Sequence, residues 1–246
     1  MSEKIIGRNA VTEALNSDRE IEKIILAKGA EVSIKKIEGK AKAKKIPLYY
    51  SDKSRMDRDA DGGNHQGVIA VVSDYEYATV EEILNVAKQR GEDPFVILLD
   101  GLDNIEDPHN LGAIMRTAEC AGAHGVIIPK RRSVSITETV AKTSAGAVEY
   151  MPCARVTNMA RTIEQLQEAG LWIAACDMDG DTLTEADLKG PIGIVIGSEG
   201  FGVSRLVREK CDFIVSIPMR GRITSLNASN AASILMYEIV RQRGIR

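Results

Sequence analysis

The most constraining feature of the sequence is a pair of short, almost purely apolar runs near its end. They cover residues 192–196 (IGIVI) and 213–217 (FIVSI), and the first is followed at once by the turn GSEGFG, residues 197–202. Ile- and Val-rich runs of this length, bounded by turn residues, are typical of strands buried in a parallel sheet. Ligands of open α/β sheets collect at the carboxyl ends of such strands. We therefore expect the functional site at the ends of these two strands.

The preceding stretch alternates apolar strands with helical patterns. The order βαβαβαβ over residues 94–246 predicts an α/β domain with a mainly parallel sheet. The first helix of this domain is predicted to begin at a cap on Asn110 and to stop at Gly122. The Ser/Thr-rich stretch 133–152 is predicted to be helical, and so are residues 228–240, capped by Ser225 or Asn227.

Residues 1–74 predict a small α/β domain of their own. Helical patterns at 7–17 and 33–46 alternate with strand-like runs at 21–27, 48–50 and 67–72. The glycine-rich segment 59–67 is predicted to be either an ordinary surface loop or an RNA-contacting loop, and His65 within it does not decide between the two. Residues 75–93 are predicted to form a linker helix, with Thr79 as N-cap and Gly91 as stop.

Charge is distributed unevenly between the two parts. Residues 1–74 hold 14 Lys and Arg against 12 Asp and Glu, whereas the remainder holds 18 against 23, and the whole chain has a net charge of −3. The basic character is concentrated in six residues: Lys35, Lys36, Lys40, Lys42, Lys44 and Lys45. A nucleic-acid interface, if present, is therefore expected at the front of the chain.

Several classes of protein are disfavoured by composition. No apolar run approaches the length of about 18 residues that a membrane helix needs, and the start lacks the apolar core of a signal peptide, so we expect a cytoplasmic protein. The four cysteines have no CxxC spacing and lie in apolar surroundings, which predicts buried free thiols. The histidines, His65, His109 and His124, are too scattered for a ligand set, and no metal is expected.

The turn at residues 197–202 allows two interpretations from its residues alone. It follows a strand and precedes a helical pattern, which is the context of a phosphate-binding turn, but the G-x-G-x-x-G spacing is absent and Glu199 would meet the phosphate. A plain strand-to-helix turn explains the glycines but not the polar pair Ser198 and Glu199.

Three segments together resemble a known family. NLGAIMR (110–116), GSEGFG (197–202), and IPM (217–219) with SLNAS (225–229) resemble, in order, the three motifs of the SpoU (TrmH) branch of the SPOUT RNA methyltransferases. The resemblance covers residues 94–246. The front part, with GRNAVTEAL and HQGVIAVV, is similar to the L30e-like RNA-binding domain of the 23S ribosomal RNA guanosine-2′-O-methyltransferases.

The resemblance implies a fold, a cofactor and an assembly. The fold is a SPOUT domain with a parallel sheet whose last third is threaded into a deep trefoil knot, and the enzyme is a homodimer. The cofactor is S-adenosylmethionine, held largely by backbone groups near Gly197, Ile217 and Leu226. Ile196 and Met219 complete that implied cofactor set.

The resemblance also implies the reaction, which is methyl transfer to a ribose 2′-hydroxyl of RNA. It assigns the main role to Arg116, as base or as the group that orients the substrate, with a supporting set of Asn110, Glu199, Ser225 and Asn227. A guanidinium stays protonated at neutral pH. Arg116 could therefore grip a phosphate beside the target ribose, and Glu199 is the alternative base.

Three functions remain open on these grounds. The first is methylation of a guanosine ribose in large-subunit ribosomal RNA, which the separate basic front domain favours. A resistance methyltransferase acting on ribosomal RNA is a close variant of it. The second is the same chemistry on transfer RNA. The third is an RNA-binding or ribosome-assembly protein without catalysis, which predicts the loss of Arg116, Glu199 or Asn227, yet all three are present.

Overall fold

A computed structural model describes residues 3–16, 21–28, 32–72, 75–100, 108–130, 135–198 and 200–244. The chain divides into two compact units, Met1–Tyr75 and Glu76–Arg246. No helix in the described ranges is long and apolar enough to cross a membrane.

The first unit is a four-stranded sheet with helices on both faces. Its elements are β1 (Glu3–Ile6), α1 (Arg8–Asn16), β2 (Ile21–Ala27), α2 (Val32–Ala43), β3 (Leu48–Ser51), α3 (Lys53–Asp59) and β4 (Val68–Val72). The strand order is β1-β4-β2-β3. Only β2 and β3 are parallel, because β4 lies between β1 and β2 and runs antiparallel to both. The sequence pattern does not predict strand β1 or helix α3.

Alternate residues of β2 serve the two faces of this sheet, as strand geometry requires. Ile24 is buried in a core beneath α1 and α2, whereas Ile25 packs with Met56 of α3 on the other face. His65, in the irregular segment after α3, is buried: its Nδ1 accepts from the backbone N of Gly67 at 2.9 Å, and its Nε2 lies 3.0 Å from Asp57 Oδ1. This histidine therefore orders the loop from inside.

The second unit contains a six-stranded sheet, and every pairing in it is parallel. Its elements are α4 (Val80–Arg90), β5 (Phe95–Leu99), α5 (Pro108–Cys120), β6 (Gly125–Pro129), α6 (Glu138–Thr143), a 3₁₀ turn (Ala147–Glu149), β7 (Cys153–Val156), α7 (Met159–Glu168), β8 (Trp172–Thr182), β9 (Ile192–Ile196), α8 (Arg205–Lys210), β10 (Phe213–Ser216) and α9 (Ala228–Gln242). The order β10-β8-β9-β5-β6-β7 confirms the predicted parallel α/β sheet.

Helices cover both faces of this sheet. One core joins Val96 and Leu98 of β5 to α4, α7 and α8. Because side chains alternate along a strand, the intervening Ile97 points to the other face, where α5 and α9 pack together. Both central strands, β5 and β9, are buried along their whole length, which is what their unbroken apolar sequences predict.

Several local predictions are confirmed and several are wrong. Thr79 caps α4 with a full capping box, and Gly91 ends it in the left-handed conformation. Asn110 is not an N-cap, because α5 begins earlier, at Pro108, and Asn110 lies inside its first turn. The Ser/Thr-rich stretch is not one helix; α6 stops at Thr143, and Gly146, at φ +88°, turns the chain before the 3₁₀ turn.

The four cysteines form no disulfide, as predicted, but they are not all buried. Cys153 is buried, Cys176 and Cys211 are half-buried, and Cys120 is exposed. Burial raises the pKa of Cys176 to about 11 and that of Cys211 to about 12, so both remain protonated at neutral pH. Among the described residues, no group of three His, Cys, Asp or Glu side chains could hold a metal ion.

Candidate functional site

The site is built at the carboxyl edge of the second sheet, where β5 and β9 end side by side. Leu99 pairs with Ile196, and the backbone N of Asp100 donates to the carbonyl of Ile196 at 2.8 Å. Ile196 itself is buried, so its side chain forms part of the floor beneath the edge. The chain then leaves the sheet at Gly197, which is half-buried.

The loop after β9 is folded tightly on itself. Ser198 and Gly202 exchange two backbone hydrogen bonds of 3.0 Å, and the backbone N of Gly200 also donates to the carbonyl of Ser198. A Cβ at Gly197 would lie 2.1 Å from the carbonyl carbon of Gly202, so only glycine allows this approach. Three loop amides, at residues 198, 200 and 202, are thus already bonded within the loop. This argues against a phosphate-binding turn, which needs free amides.

Asp100 anchors the far end of the same loop. Its side chain is buried, and Oδ2 accepts a hydrogen bond of 2.8 Å from the backbone N of Ser204, where α8 begins. A carboxylate at a helix start is favoured both by this hydrogen bond and by the helix dipole. The sequence pattern offers one signal for this residue, a charged side chain directly after a buried strand, and our prediction missed it.

A second anchor comes from β8. Arg208 of α8 bridges two carboxylates there, with Nη1 at 3.2 Å from Asp177 Oδ2 and Nη2 at 2.6 Å from Asp179 Oδ2. Asp177 also lies beside the loop, since a Cβ built on Gly202 would be 3.7 Å from its Oδ2. The pKa of Asp179 is lowered, chiefly by its hydrogen bond from Arg208. These residues hold α8, and with it the loop, against the end of β8.

The segment that follows β10 is open and irregular. Residues 217–227 form neither helix nor strand, and residues 218–227 are exposed. Ile217 is half-buried, whereas Met219 and Leu226 present 37% and 36% of their surface. Within the described ranges, the backbone groups of residues 217–226 make no backbone–backbone hydrogen bond, so they are available to a ligand.

The third part of the site is the junction of α5 and α9. Asn227 caps α9: its Oδ1 accepts from the backbone N of Ser229 at 2.9 Å and from its hydroxyl at 2.6 Å. The Nδ2 of Asn227 donates to Oδ1 of Asn110 at 3.0 Å. Further along, Thr117 Oγ1 lies 3.2 Å from Ser233 Oγ. The two helices therefore run side by side, with their first turns tied together.

The remaining predicted residues are placed as follows. Arg116 is exposed on α5, six residues after Asn110 and therefore about 9 Å further along the helix. Ser225 is exposed in the segment before α9. Glu199 lies outside the described residues. The structure joins Asn110 to Asn227 directly, and among described residues no hydrogen bond links Arg116 or Ser225 to either of them.

The glycine loop and the 217–226 segment are suited to the expected cofactor. In a parallel sheet with β8 between β9 and β10, Gly197 and Ile217 are separated by two strand spacings, which is about 10 Å. An adenosine group fits such a span. Exposed apolar side chains with unpaired backbone donors and acceptors are what a purine requires of its site. The residues present therefore fit S-adenosylmethionine.

A cavity of about 650 Å³ lies elsewhere, at the opposite edge of the sheet. Its lining includes Phe95, at the amino end of β5, together with Glu92, Cys120, Lys189 and Arg243. Arg243 spans it, donating to the carbonyls of Asp93 and Pro94 and stacking over the ring of Phe95 at 5.3 Å. The loop after β9 and the segment after β10, which contain the predicted cofactor residues, lie instead at the carboxyl edge.

Comparison with known proteins gives matches over both units. Residues 95–237 match the family described as SpoU rRNA Methylase, and residues 4–78 match the one described as RNA 2′-O ribose methyltransferase substrate binding. A curated relative from Bacillus subtilis, named as the TrmH family tRNA/rRNA methyltransferase YacO, is 47% identical over 97% of this chain and 95% of its own.

Solved structures with this fold include two that are relevant to ligands. The AdoMet-bound rRNA methyltransferase from Sinorhizobium meliloti aligns with a TM-score of 0.59 at 23% identity, over 98% of this chain and 87% of its own. The A. aeolicus TrmH/SpoU tRNA modifying enzyme aligns with a TM-score of 0.56 at 26% identity, over 62% of this chain and 77% of its own.

Proposed function

This chain belongs to the SpoU rRNA methylase family, and from that premise we propose that it methylates the ribose 2′-hydroxyl of a guanosine in large-subunit ribosomal RNA. Its general activity is S-adenosylmethionine-dependent 2′-O-methylation of RNA, and its first unit is a substrate-binding domain. Two contacts support the proposal: the Asn110–Asn227 bond joins the first and third motif segments, and Asp100, at the end of β5, anchors the far end of the loop that forms the second.

In this proposal the residues that bind the cofactor lie at the end of β9, in the loop after it, and in the segment after β10. Gly197 allows close backbone approach, Ile217 and Leu226 supply apolar walls with available backbone groups, and Ile196 and Met219 complete the set. The bound cofactor supplies an electrophilic methyl group. The protein's part is to hold that group in line with the ribose oxygen, since orientation supplies much of the rate of such a displacement.

The substrate side of the site consists of Arg116, Asn110, Asn227, Ser225 and Glu199. Asn227 is occupied as a cap and as a donor to Asn110, so both amides act by fixing the junction of α5 and α9. Arg116 orients the RNA by gripping the phosphate beside the target ribose in a bidentate manner. Glu199 is the proton acceptor, because a guanidinium remains protonated at working pH.

The catalytic assignment is tested by pH–rate profiles of Arg116→Lys and Glu199→Gln. We expect each change to lower kcat by about a hundredfold or more, with S-adenosylmethionine affinity, measured separately, near wild type. Glu199→Gln should also abolish the acidic limb of the profile. Arg161→Lys, at an exposed position on α7, is the matched control. Wild-type rates in both variants would show the assignment to be wrong.

Ribosomal RNA is favoured over transfer RNA by the extent of the structural matches. The Sinorhizobium structure, titled an rRNA methyltransferase, aligns with 98% of this chain, whereas the A. aeolicus tRNA-modifying enzyme aligns with 62%. Transfer RNA is the second candidate, because the curated relative is named for both substrates. Mass-spectrometric mapping of 2′-O-methyl groups in both RNAs, from cells with and without this protein, decides between them. A protein-dependent mark in transfer RNA alone would exclude the first candidate.

We further propose that the second unit is knotted through its last third and works as a homodimer in a cytoplasmic setting. Exposed apolar side chains on α9, Ile234 and Tyr237, support pairing with a second copy. In a dimer, Arg116 of one copy could meet the cofactor of the other. Light scattering at micromolar concentration should give twice the chain mass. A monomer that retains full activity would contradict this arrangement.

A further inference from the structure

The first unit has one strongly cationic side. Helix α2 and the turn after it carry six lysines and one acid over residues 35–45, and all six lysines are exposed. We call these six, Lys35, Lys36, Lys40, Lys42, Lys44 and Lys45, the lysine face. The buried side of α2 packs into the core through Ile34, Ile37 and Ala41, and the lysines lie on the exposed side of the helix and of the turn after it.

The opposite side of the same sheet has a different charge pattern. Helix α3 and its flanks, residues 52–61, carry three cations and four acids. Because α2 and α3 pack on opposite faces of the sheet, the unit is cationic on one side and close to neutral on the other. A charge run that merely kept the protein in solution would not need this asymmetry.

Contacts hold part of the lysine face in place. Lys40 Nζ donates to Asn16 Oδ1 at 2.9 Å, and Lys44 Nζ donates to the carbonyl of Leu15, both at the end of α1. These bonds order the two ammonium groups without neutralising them. The single acid, Glu38, is occupied by Lys42 at 2.6 Å and by the hydroxyl of Tyr50 at 2.9 Å. The lysine face therefore keeps a fixed positive field.

Tyr50 lies at the rim of this face. It is on β3, an edge strand of the sheet, and 51% of its surface is exposed. Its hydroxyl bond to Glu38 fixes the ring beside the lysines. An exposed aromatic ring next to ordered cations is the combination that binds single-stranded nucleic acid, with bases stacked on the ring and phosphates on the lysines.

We propose that the lysine face and Tyr50 form a binding surface for RNA, in which the lysines contact consecutive phosphates and Tyr50 stacks on an unpaired base. This inference rests on the proposed function for the identity of the polyanion and assigns the side of the first unit that meets it. The surface supplies affinity and position, and it takes no part in the chemistry of methyl transfer.

The charge test reverses Lys35 and Lys36 in the full-length protein. Binding is measured with protein-free ribosomal RNA from cells lacking this protein, as a function of salt. We expect Lys35→Glu with Lys36→Glu to weaken binding by about tenfold or more at 0.1 M salt and to reduce the slope of log K against log salt by about 1 to 2. The slope is a readout that a change in folding alone would not move in this way.

The matched control makes the same charge change on the other side of the unit. Lys53→Glu with Arg58→Glu, on α3, should alter binding by less than about threefold, since those cations are surrounded by acids. In the Lys53/Arg58 variant, kcat at saturating RNA and affinity for S-adenosylmethionine should match wild type. Equal losses from the α2 and α3 reversals would overturn the proposal.

The stacking test uses Tyr50. Tyr50→Phe keeps the ring and should bind RNA within about twofold of wild type, whereas Tyr50→Ala should lose about tenfold. Equal binding by the two variants would remove Tyr50 from the surface.

The outcomes separate this inference from the proposed function. If wild type methylates ribosomal RNA but the Lys35/Lys36 reversal leaves RNA binding unchanged, the lysine face is not the RNA-binding surface and the proposed function stands. If wild type methylates no RNA, the function fails, and the RNA-binding comparison still decides the surface. The other candidate polyanion is an anionic membrane, which sedimentation with phosphatidylglycerol vesicles tests. If the Lys35/Lys36 reversal abolished vesicle binding and left RNA binding intact, the lysine face would be a membrane contact and the proposal would be overturned.

Discussion

At the scale of single residues, the shape of the loop after β9 depends on Gly197. The carbonyl group of Gly202 and the backbone N of Val203 both lie within 2.3 Å of where a Cβ of residue 197 would be. These are backbone atoms, which cannot rotate away as a side chain could. This conformation of the loop therefore requires glycine at position 197.

We predict that Gly197→Ala opens this loop. The affinity for S-adenosylmethionine should fall by about tenfold or more, and the free energy of unfolding by about 1–3 kcal/mol, as for other overpacked sites. Titration calorimetry and urea unfolding measure the two quantities. Gly39→Ala is the control, because a Cβ there meets nothing within 4 Å and α2 should gain about 0.5–1 kcal/mol. Unchanged cofactor binding in Gly197→Ala would remove the loop from the site.

His124 shows how one buried ring can make stability depend on pH. Its Nδ1 accepts from the backbone N of Phe95 at 3.0 Å, and its Nε2 lies 3.0 Å from Glu92 Oε2. Burial lowers the pKa of His124, although the hydrogen bond to Glu92 works in the opposite direction. The folded protein therefore holds the neutral ring, which the Phe95 amide requires as its acceptor.

We predict that the protein loses stability as the pH falls below about 6.5, the ordinary pKa of histidine in an unfolded chain. Below that pH the unfolded chain takes up a proton that the folded state binds less well, so the contribution of His124 is complete above it and declines until the lowered folded pKa is reached. His124→Asn, whose Oδ1 can still accept from Phe95, should lose less between pH 7.5 and 5.5 in urea unfolding. Identical losses in both proteins would contradict this account.

At the scale of elements, two helix starts use different devices. Helix α4 is capped by Thr79, whose Oγ1 accepts from the backbone N of Glu82 while Glu82 bonds back to the N of Thr79. Helix α8 starts at Ser204, whose side chain makes no capping bond. Its backbone N instead donates a hydrogen bond to Asp100, which lies at the end of a strand distant in the sequence. The first device is local, whereas the second depends on the fold.

We expect alanine substitutions at these two helix starts to change the free energy of unfolding by different amounts. Thr79→Ala should lower the free energy of unfolding by about 1 kcal/mol, within the range of 0.5–2 kcal/mol for lost caps. Ser204→Ala should change it by only a few tenths of a kcal/mol, because no side-chain bond is lost. Urea unfolding followed by fluorescence of Trp172, the single tryptophan, reports on this unit. A larger effect at Ser204 would show that its hydroxyl has a role beyond the contacts described.

Most of the strands and helices were predictable because their signals are local. The runs at β2, β5, β6 and β9 match the structure within a residue or two, and so does α9. One error came from a non-local contact and the other from a local turn. Asn110 is a good capping residue, but its side chain bonds to Asn227 across 117 residues. The small residues predicted to continue α6 as one helix instead follow a left-handed turn at Gly146.

At the scale of the whole molecule, each unit has its own hydrophobic core. The core beneath α1 and α2 contains only residues of the first unit, and the core around β5, β8 and α7 contains only residues of the second. All three motif segments and the Asp100 anchor lie in the second unit. Cofactor binding and RNA capture should therefore be separable.

We predict that a protein consisting of residues 76–246 still binds S-adenosylmethionine, within about threefold of the full chain, because its core is complete. Its kcat/KM for ribosomal RNA should fall by about tenfold or more, since the lysine face is gone. Calorimetry and a methylation assay measure the two quantities, and circular dichroism confirms folding. A folded protein that no longer binds the cofactor would place part of the cofactor site in the first unit.

The sequence by itself determined the α/β alternation, the parallel sheet, the cap at Thr79 and the three motifs that identify the family, and it narrowed the cap of α9 to Ser225 or Asn227. Each of these depends on residues close together in the chain, where side-chain period and short hydrogen bonds act directly. Only the tertiary structure decided the strand order, the antiparallel β4 in the first unit and the grip of Asp100 on Ser204, 104 residues away. Those contacts depend on which strands become neighbours when their apolar faces are buried together, and local pattern carries no record of that choice.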